Sequence, residues 1–559
     1  MKIPKGRTLI TLGAMIGMLS LVGAGSAAVR GEGSGKATPT TLVYAGASDP
    51  TFLDPMLDSD GESFRVTKQI FEGLVDLKPG STAVGPKLAT SWGVDKSGKV
   101  WTFNLRHGVK VHDGTAFNAK AVCFNFNRWY NFTGPFQNAG ATFYYQAIFG
   151  GFAHNEVSSL SAPLYKSCKA KGSYKAVVTL TRKNGPFLPA LSIPSFAIQS
   201  PTALKKYGAN QATISNGAFS PTGTYAFQHP TGTGPFTFGS WTVKQKVVLN
   251  RNAKYWGKKA KLKQIVIVPI ADNSARVQAL QTGEVNAMDL LQPQDVATVQ
   301  NSSNLTTKSR PAFNVAYVGI NQAKPPMDKL LGRQAVAYGL NRQAVVNTFY
   351  AGRAQVANEF MPPSLFGYAK DVVKYDYDPA KAKQLLQQAG LTLPVQIDFY
   401  YPTGVSRPYM PDPQGIFQVF AASLNNSGFK VVPHSEPWRP DYVADVNAGT
   451  AGHLNMIGWT GDYGDPDNFL GVFFKAKNPQ FGFDNPALTA LLNKGAAEVN
   501  FDKRVAIYQQ ANKTIMKDIL PGVPYAHTRP ALGFQKTVKG YIASPTGSDP
   551  FAPVFFGGV

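Results

Sequence analysis

The spacing of apolar residues differs between the two halves of the chain. In the first half, residues 41–45 read as a strand, and two runs with alternating apolar residues, within 88–105, flank a Lys-Ser-Gly turn and predict a hairpin. From residue 272 onward, helical periods alternate with short apolar strands such as 454–457. Such alternation is typical of βαβ units, so the pattern predicts an α/β protein.

Helices are predicted where apolar residues recur every three or four positions. One helix has both ends marked, because Asp378 provides an N-cap, Pro379 fits the first turn and Gly390 closes it. Residues 131–165 show no clear period and receive no assignment. The other predicted helices cover residues 61–77, 272–284, 329–350, 414–426 and 502–519.

The stretch 458–470, after the strand 454–457, combines three glycines, three aspartates and a proline with Trp459 and Tyr463. A strand that opens into such a loop is where α/β proteins usually hold ligands. The alternative is an acidic turn between strand and helix, capped by Asp467 or Asn468.

The composition of the chain indicates a globular protein, and its charge raises the question of a nucleic-acid partner. The chain has 559 residues, of which 43% are hydrophobic and 12% aromatic, so it is globular and large enough for two or three domains. Its formal net charge is +23, which would suit a nucleic-acid partner. The basic residues are scattered, however, with no run of five or six, so no nucleic-acid partner is expected.

Residues 1–28 have the features of a targeting segment. Lys2, Lys5 and Arg7 are followed by an apolar run at 9–23 and by small residues at 26–28. Removing these three charges lowers the formal net charge from +23 to +20. We expect an exported protein, and the alternative is an uncleaved N-terminal anchor.

Two cysteines, Cys123 and Cys168, fit a single disulfide bond outside the cytoplasm. The alternative is two separate buried thiols. Ala24 stands where a bacterial lipoprotein would carry its lipid-bearing cysteine, so no lipid anchor is expected.

Catalytic, nucleotide and metal motifs were tested and set aside. Residues 93–99 have the glycine and lysine spacing of a phosphate loop, but Val100 stands where Ser or Thr must hold magnesium. His107 and His112 lack further ligands for a metal site. The aspartates of 458–470 lack the alternation of a calcium loop. We therefore predict no catalytic residue, no metal and no cofactor.

Arg407 lies in a proline-rich segment, 406–413, between a strand and a helix. Prolines stiffen the segment and so lower the entropy cost of holding the Arg407 guanidinium in place. The paired N–H groups of a guanidinium can donate two hydrogen bonds to one carboxylate. The alternative is an ordinary surface arginine.

Several motifs together resemble the extracytoplasmic solute-binding proteins of peptide ABC transporters, the oligopeptide/dipeptide-binding group. The likeness runs in order from about residue 41 to about residue 545. Arg407-Pro408-Tyr409 and 458–462 resemble the dipeptide-binding branch in particular. The other matching segments are 88–92, 112–122, 233–236, 255–257, 332–338 and 377–382.

The resemblance implies that Arg407 receives the carboxylate of a short peptide and that Asp462 receives its amine. The expected ligand-binding residues are Arg407, Tyr409, Trp459, Gly461 and Asp462, with Asp60 of the other lobe covering them. This chain departs from the branch at Tyr463, where Asn is frequent, and in its high positive charge.

The implied fold has two lobes that are joined by crossing strands and close over a ligand like a hinge. After a linker at 29–40, lobe I covers 41–271 with an inserted subdomain at about 78–210, and the chain returns to it at 524–559. Lobe II covers 272–523. The expected partners are a short peptide and the permease subunits of an ABC importer, and the expected state is a monomer outside the cytoplasm.

Other functions are compatible with the same sequence. A protein of the same fold could bind glutathione, a nickel chelate or haem instead. An exported hydrolase is a further alternative from a different class.

Overall fold

The computed structural model describes residues 39–138, 140–215 and 217–558. The predicted targeting segment, residues 1–28, lies outside the described residues, as does most of the predicted linker. In the described part of the chain, no helix is both long and apolar enough to cross a membrane.

The strands, in chain order, are β1 (Thr41–Gly46), β2 (Val75–Leu77), β3 (Val84–Pro86), β4 (Ala89–Val94), β5 (Val100–Leu105), β6 (Tyr165–Ala170), β7 (Lys175–Leu180), β8 (Ala212–Ser215), β9 (Ala218–Pro221), β10 (Phe236–Thr242), β11 (Lys246–Arg251), β12 (Gln264–Pro269), β13 (Ala287–Leu291), β14 (Leu305–Ser309), β15 (Asn314–Ile320), β16 (Ala354–Gln355), β17 (Val395–Thr403), β18 (Phe429–Pro437), β19 (Leu454–Thr460), β20 (Gly522–Thr528), β21 (Ala531–Gln535), β22 (Val538–Lys539) and β23 (Phe555–Phe556).

The α-helices are α1 (Gly61–Ile70), α2 (Ala119–Tyr130), α3 (Phe143–Phe149), α4 (Phe187–Ala190), α5 (Pro201–Lys206), α6 (Tyr225–Gln228), α7 (Asn273–Thr282), α8 (Val296–Asn301), α9 (Leu330–Gly339), α10 (Arg342–Phe349), α11 (Pro379–Gln388), α12 (Pro413–Asn426), α13 (Val443–Ala448), α14 (Leu470–Phe474), α15 (Pro486–Ala497) and α16 (Phe501–Thr514).

Two large sheets form the centres of the two lobes. The first has seven strands in the order β10-β11-β12-β1-β13-β21-β14, with β1 parallel to β12 and β13. The second has six strands in the order β16-β20-β15-β19-β17-β18. The largest group of buried apolar side chains packs around the second sheet, and separate groups pack around the first. The predicted α/β, two-lobed fold is therefore confirmed.

The chain passes between the sheets at two adjacent crossings. One crossing joins β14 to β15 and the other joins β20 to β21. The crossings are bonded to each other, because the Arg310 amide donates to the Pro530 carbonyl at 2.9 Å and the Asn314 side chain donates to the Thr528 carbonyl at 3.1 Å. This paired connection is the hinge region.

The sheet pairing corrects the predicted lobe boundaries. The sequence placed the start of lobe II at residue 272, yet β13 and β14 pair with β21 in the first sheet. The crossings therefore lie at 310–313 and 529–530, whereas the predictions were 271/272 and 523/524. The change to helical periodicity near residue 272 marks α7, which packs on the first sheet through Leu280.

Two predicted helices are shorter than the sequence suggested. The helix predicted for 329–350 is two helices, α9 and α10, because Leu340 is extended and Asn341 caps a new helix through the Ala344 amide at 3.0 Å. The helix predicted for 61–77 ends at Ile70, where an extended Phe71 stops it.

The stretch predicted as the inserted subdomain contains a four-stranded antiparallel sheet in the order β4-β5-β7-β6, and β4 and β5 form the predicted hairpin. A disulfide bond joins Cys123 on α2 to Cys168 on β6, with 5.1 Å between their Cα atoms. The bond fastens the helix to an edge strand of this sheet.

Candidate functional site: two unpaired charges beside the hinge

The loop that carries Arg407 connects β17 to α12 and is tightly tied. Arg407 and Met410 exchange two backbone hydrogen bonds of 3.0 Å each. The Thr528 hydroxyl donates to the Pro408 carbonyl at 2.8 Å, and the Tyr350 hydroxyl donates to the Tyr409 carbonyl at 2.8 Å. The Thr528 contact joins the loop to the hinge region, so the position of Arg407 is coupled to the crossing.

The guanidinium of Arg407 lies over the ring of Trp438, 5.2 Å from the ring centre. Arg407 is half-buried, and its Nε is buried without a hydrogen-bond partner. No carboxylate in the described ranges lies within salt-bridge distance of it. A partly desolvated cation without a counter-charge is a suitable receptor for an anionic group.

Tyr409 joins this loop to strand β19. Its buried ring packs so closely on Gly458 that a side chain at Gly458 would come within 2.5 Å of it. Burial raises the pKa of Tyr409, and the nearby Arg407 guanidinium opposes that rise. Gly458 is therefore required by packing, and it brings the Arg407 loop against the strand that leads to Asp462.

Asp462 follows the end of β19. Its amide donates to the Asn468 side-chain oxygen at 2.7 Å, and the Asn468 amide group returns a bond of 3.3 Å to the carboxylate. Burial raises the pKa of Asp462 to about 6, and hydrogen bonds from Tyr144 and Asn468 oppose that rise. Tyr144 lies on α3 of the first lobe, so this carboxylate is located where the lobes meet.

The three aspartates of the acidic loop have different roles. Asp465 forms a bidentate pair with Arg504 at 2.8 and 2.9 Å. Asp467 is paired with Lys475 at 2.8 and 2.7 Å. Asp462 has no basic partner among the residues that the structure describes. Of the three aspartates in this loop, Asp462 is therefore the one without a basic partner in the described ranges.

The remainder of the acidic loop fixes the lobes together. Tyr463 is buried among the apolar residues around the four-stranded sheet. A side chain at Gly464 would lie 2.3 Å from the Thr82 carbonyl oxygen. Asp465 caps the short turn that follows, the role that the sequence offered to Asp467 or Asn468. In the described ranges, no three His, Cys, Asp or Glu side chains are placed to hold a metal ion.

Trp459 is half-buried beside the same strand end. It pairs with Val315 across the sheet and meets the Phe473 ring edge-on, with 5.9 Å between ring centres. Its indole Nε1 is buried without a partner. An unsatisfied donor three positions before Asp462 in the chain is a candidate for hydrogen bonding to a ligand.

Gly461 and Asp60 have structural partners already. The Gly461 amide donates to the Phe313 carbonyl at 2.9 Å, and a side chain there would come within 2.3 Å of the Phe313 ring. The Asp60 carboxylate caps α1, accepting from the Glu62 and Ser63 amides at 3.0 and 2.9 Å. Their proposed ligand contacts stay predictions, and the function below does not depend on them.

Sequence reasoning missed Tyr144, Trp438 and Asn468. Tyr144 lies in the stretch that received no assignment, and Trp438 follows β18, more than thirty residues after the arginine it supports. Asn468 was noticed only as a possible cap. An Asn six positions after Asp462 in a Gly- and Pro-rich loop is a weak signal for such a contact.

The two histidines set aside as metal ligands have other partners. His107 stacks on Tyr174 with 3.9 Å between ring centres, and His112 contacts the Gly234 carbonyl at 3.0 Å.

Comparison with known proteins places this site in a family. The sequence profile of the bacterial extracellular solute-binding proteins, family 5 (middle region), matches residues 83–481. The chain belongs to this family. Its members bind solutes, and the chain shares 31% identity over 529 residues with the dipeptide-binding protein of Escherichia coli K12, covering 92% of this chain and 94% of that protein.

Two further proteins are similar over nearly the whole chain. The haem-binding protein A of Haemophilus influenzae is 30% identical over a 533-residue alignment that covers 91% of this chain and 91% of that protein. The solved structure of the periplasmic binding protein DppA from Helicobacter pylori, in complex with the peptide STSA, matches with a TM-score of 0.77 and 29% identity, over 93% of this chain and 98% of that one. The predicted family resemblance is confirmed.

Proposed function

We propose that this protein captures short peptides, dipeptides foremost, outside the cytoplasm and delivers them to an ABC importer by closing its two lobes. The observation that carries the proposal is a pair of opposite charges, Arg407 and Asp462, that have no ionic partner among the described residues and lie on loops joined through Tyr409 and Gly458. A free peptide presents a carboxylate and an ammonium group, which are the counter-charges that these side chains lack. The names of the similar dipeptide-binding and peptide-bound proteins support the same ligand class.

The proposal also covers the oligomeric state, the partners, the binding residues and the export of the protein. The protein acts as a monomeric receptor, its partners are the peptide and the permease subunits, and no cofactor takes part. Arg407, Asp462, Tyr409 and Trp459 form the ligand-binding set, and the segment 1–28 exports the chain. Ligand capture requires no bond to be broken, so the proposed role is not that of an enzyme.

Haem is the second candidate, because the haem-binding relative is nearly as similar as the dipeptide-binding one. Haem carries two carboxylates and no amine, so it would leave Asp462 without a counter-charge. Peptide therefore fits the two charges better than haem.

Calorimetry of the mature protein with a mixed set of dipeptides, and separately with haem, tests the proposal. We expect saturable binding of dipeptides at one site. Haem binding with no dipeptide binding would overturn the proposed ligand while leaving the fold and family unaffected.

A further inference from the structure

The acidic residues of this chain are unevenly distributed, and one segment without them has a high net positive charge. Between Glu156 and Asp272 the sequence has no Asp or Glu, although an even spread of the 33 acidic residues would place about seven there. The same stretch contains sixteen Lys and Arg residues. Peptide capture at Arg407 and Asp462 gives no reason for this imbalance, because none of these residues contributes to that site.

Six of these sixteen basic residues lie in the loop 251–263, which we call the basic loop. Its ends are joined, since the Arg251 amide donates to the Lys263 carbonyl at 2.9 Å. The Arg251 side chain also donates to the Ala260 carbonyl at 3.4 Å. The loop is therefore a closed projection at the end of β11 and not a flexible tail.

Two aromatic residues fix the inner side of the basic loop. The Tyr255 hydroxyl and the Trp256 indole N–H donate to the buried carboxylate of Glu72 at 2.6 and 2.8 Å. The guanidinium of Arg106 lies over the Trp256 ring, 4.5 Å from its centre. The aromatic rings thus anchor the loop on the lobe.

The basic side chains of the loop are exposed to solvent. Within the described ranges none of them forms a salt bridge. The acids nearest to the anchor are already used, because Glu72 pairs with Lys87 at 3.1 Å and Asp76 pairs with Lys68. The exposed basic residues are Arg251, Lys254, Lys258, Lys259, Lys261 and Lys263.

We infer that the basic loop is a docking surface for an anionic phospholipid bilayer, which it meets through the phosphates of the headgroups. Five of its six cations are lysines. A lysine is a compact point charge, which suits attraction to a surface of many anionic headgroups, whereas bidentate binding of a single phosphate or carboxylate favours arginine. Its aromatic rings are fixed on Glu72, so they are not presented for stacking on bases, as binding to single-stranded nucleic acid requires. A solute-binding protein held at the bilayer would stay close to a membrane-embedded importer.

Co-sedimentation of the mature protein with vesicles tests this inference. Vesicles of phosphatidylglycerol and phosphatidylcholine are compared with vesicles of phosphatidylcholine alone, at low and high salt. The variant K254Q/K258Q/K259Q/K263Q removes four exposed charges of the loop. The matched control K370Q/K374Q/K383Q/K430Q removes four exposed charges from the second lobe, so the two variants have equal net charge.

We expect the native protein to bind the anionic vesicles and to be released by salt, because screening shortens the reach of surface charges. The loop variant should lose at least about tenfold in partitioning, and the control should lose less than about threefold. Dipeptide affinity should be the same in all three proteins, which separates this inference from the proposed function.

Three results would overturn the inference. The first is equal binding to anionic and zwitterionic vesicles at low salt. The second is an equal loss in the loop and control variants, which would mean that total charge alone attracts the protein. The third is loop-dependent binding of a soluble polyanion such as inorganic polyphosphate without binding to vesicles.

Discussion

At the scale of single residues, the site is distinguished by charges that the protein does not neutralise. Asp465 and Asp467 have basic partners. Within the described ranges, Asp462 has no basic partner and Arg407 has no acidic one. Leaving a desolvated charge unpaired costs free energy of folding. A ligand that supplies the counter-charge recovers that cost on binding, which couples ligand charge to affinity.

Replacing Arg407 with Gln should weaken the binding of a free dipeptide by at least about thirtyfold, which is about 2 kcal/mol, because the peptide carboxylate loses the cation that we propose binds it. Calorimetry measures the change. Arg182→Gln, at an exposed arginine of the first lobe, provides the control and should bind normally. Equal affinity of the native protein and the Arg407 variant would remove Arg407 from the site.

Dipeptide affinity should depend on pH through Asp462. Its pKa is raised to about 6 by burial, so the carboxylate is ionised above this pH and protonated below it. Only the ionised form attracts the peptide ammonium. Affinity should therefore be highest between about pH 7 and pH 8, the range below the pKa of the peptide amine, and fall by about tenfold for each pH unit below 6.

The variant Asp462→Asn tests the assignment of this titration. It should bind weakly at every pH, with no step near pH 6. Asp484→Asn, at an exposed aspartate, should keep the step. A step that persists in the Asp462 variant would assign the titration to another group.

At the scale of elements, close packing brings the two charged loops together. The Tyr409 ring fills the space above Gly458, and the Gly461 amide attaches the end of β19 to the crossing strand through Phe313. Both glycines stand where a larger residue would push these elements apart. The geometry of the site thus depends on β19 as much as on the charged residues.

The second lobe also contains a buried acid outside the site. Glu359 is fully buried and accepts from the Ala369 amide at 3.1 Å. Burial raises its pKa to about 9, so the folded protein keeps it protonated at neutral pH while the unfolded chain ionises above about pH 4.5. The free energy of unfolding should therefore fall as pH rises from about 4.5 to about 9.

The variant Glu359→Gln should remove this loss of stability. We expect it to be more stable than the native protein at pH 8, by about 1–3 kcal/mol, and the difference should shrink towards pH 5. Thermal unfolding at both pH values measures it, with exposed Glu284→Gln as the control. A Gln variant that is less stable than the native protein at pH 8 would show that the acid is ionised and paired.

Local sequence signals predicted much of the second lobe correctly. Asp378 caps α11 and Pro379 opens it, and β19 leads into the acidic loop as expected. These features depend on the nearest few residues, so the sequence reveals them. The split between α9 and α10 was missed because Leu340 and Asn341 fit a helical period, and only tertiary packing shows Leu340 in the core.

The pairing of strands and of charged side chains that are distant in the sequence could not be predicted from local signals. The true crossing at Arg310 depends on which sheet accepts β13 and β14, and hydrophobic spacing does not carry that information. Likewise, the sequence offered three aspartates in one loop and could not show that Arg504 and Lys475 neutralise two of them. The motif resemblance, not the local pattern, selected Asp462.

At the scale of the whole molecule, the lobes touch beside the site and are joined by two bonded crossings. The Gln292 side chain of the first lobe donates to the Ser406 hydroxyl, next to Arg407, at 2.6 Å. The Gly185 amide donates to the Ala496 carbonyl at 2.7 Å. Together with Tyr463 and Gly464 of the acidic loop, these contacts hold the lobes against each other in this structure. A hinge that opens would have to break them, and ligand would shift the balance to the closed form.

We expect saturation with a dipeptide to reduce the radius of gyration in small-angle X-ray scattering. Ligand that binds the closed form should also raise stability, by about 2.7 kcal/mol at a hundredfold excess over its dissociation constant. The Arg407→Gln variant at the same peptide concentration is the control and should stay open. An unchanged radius of gyration at saturation would mean that capture does not require closure.

The central claim is that Arg407 and Asp462 hold the two ends of one short peptide, and calorimetry on blocked peptides tests it most directly. A free dipeptide is compared with its acetylated and amidated forms, and with the matching tetrapeptide. The account predicts that each block costs at least about thirtyfold in affinity, because it leaves one charge unpaired. The tetrapeptide, longer by about 7 Å, should bind more weakly than the dipeptide. Acetylated and amidated dipeptides that bind as tightly as the free one would contradict the account.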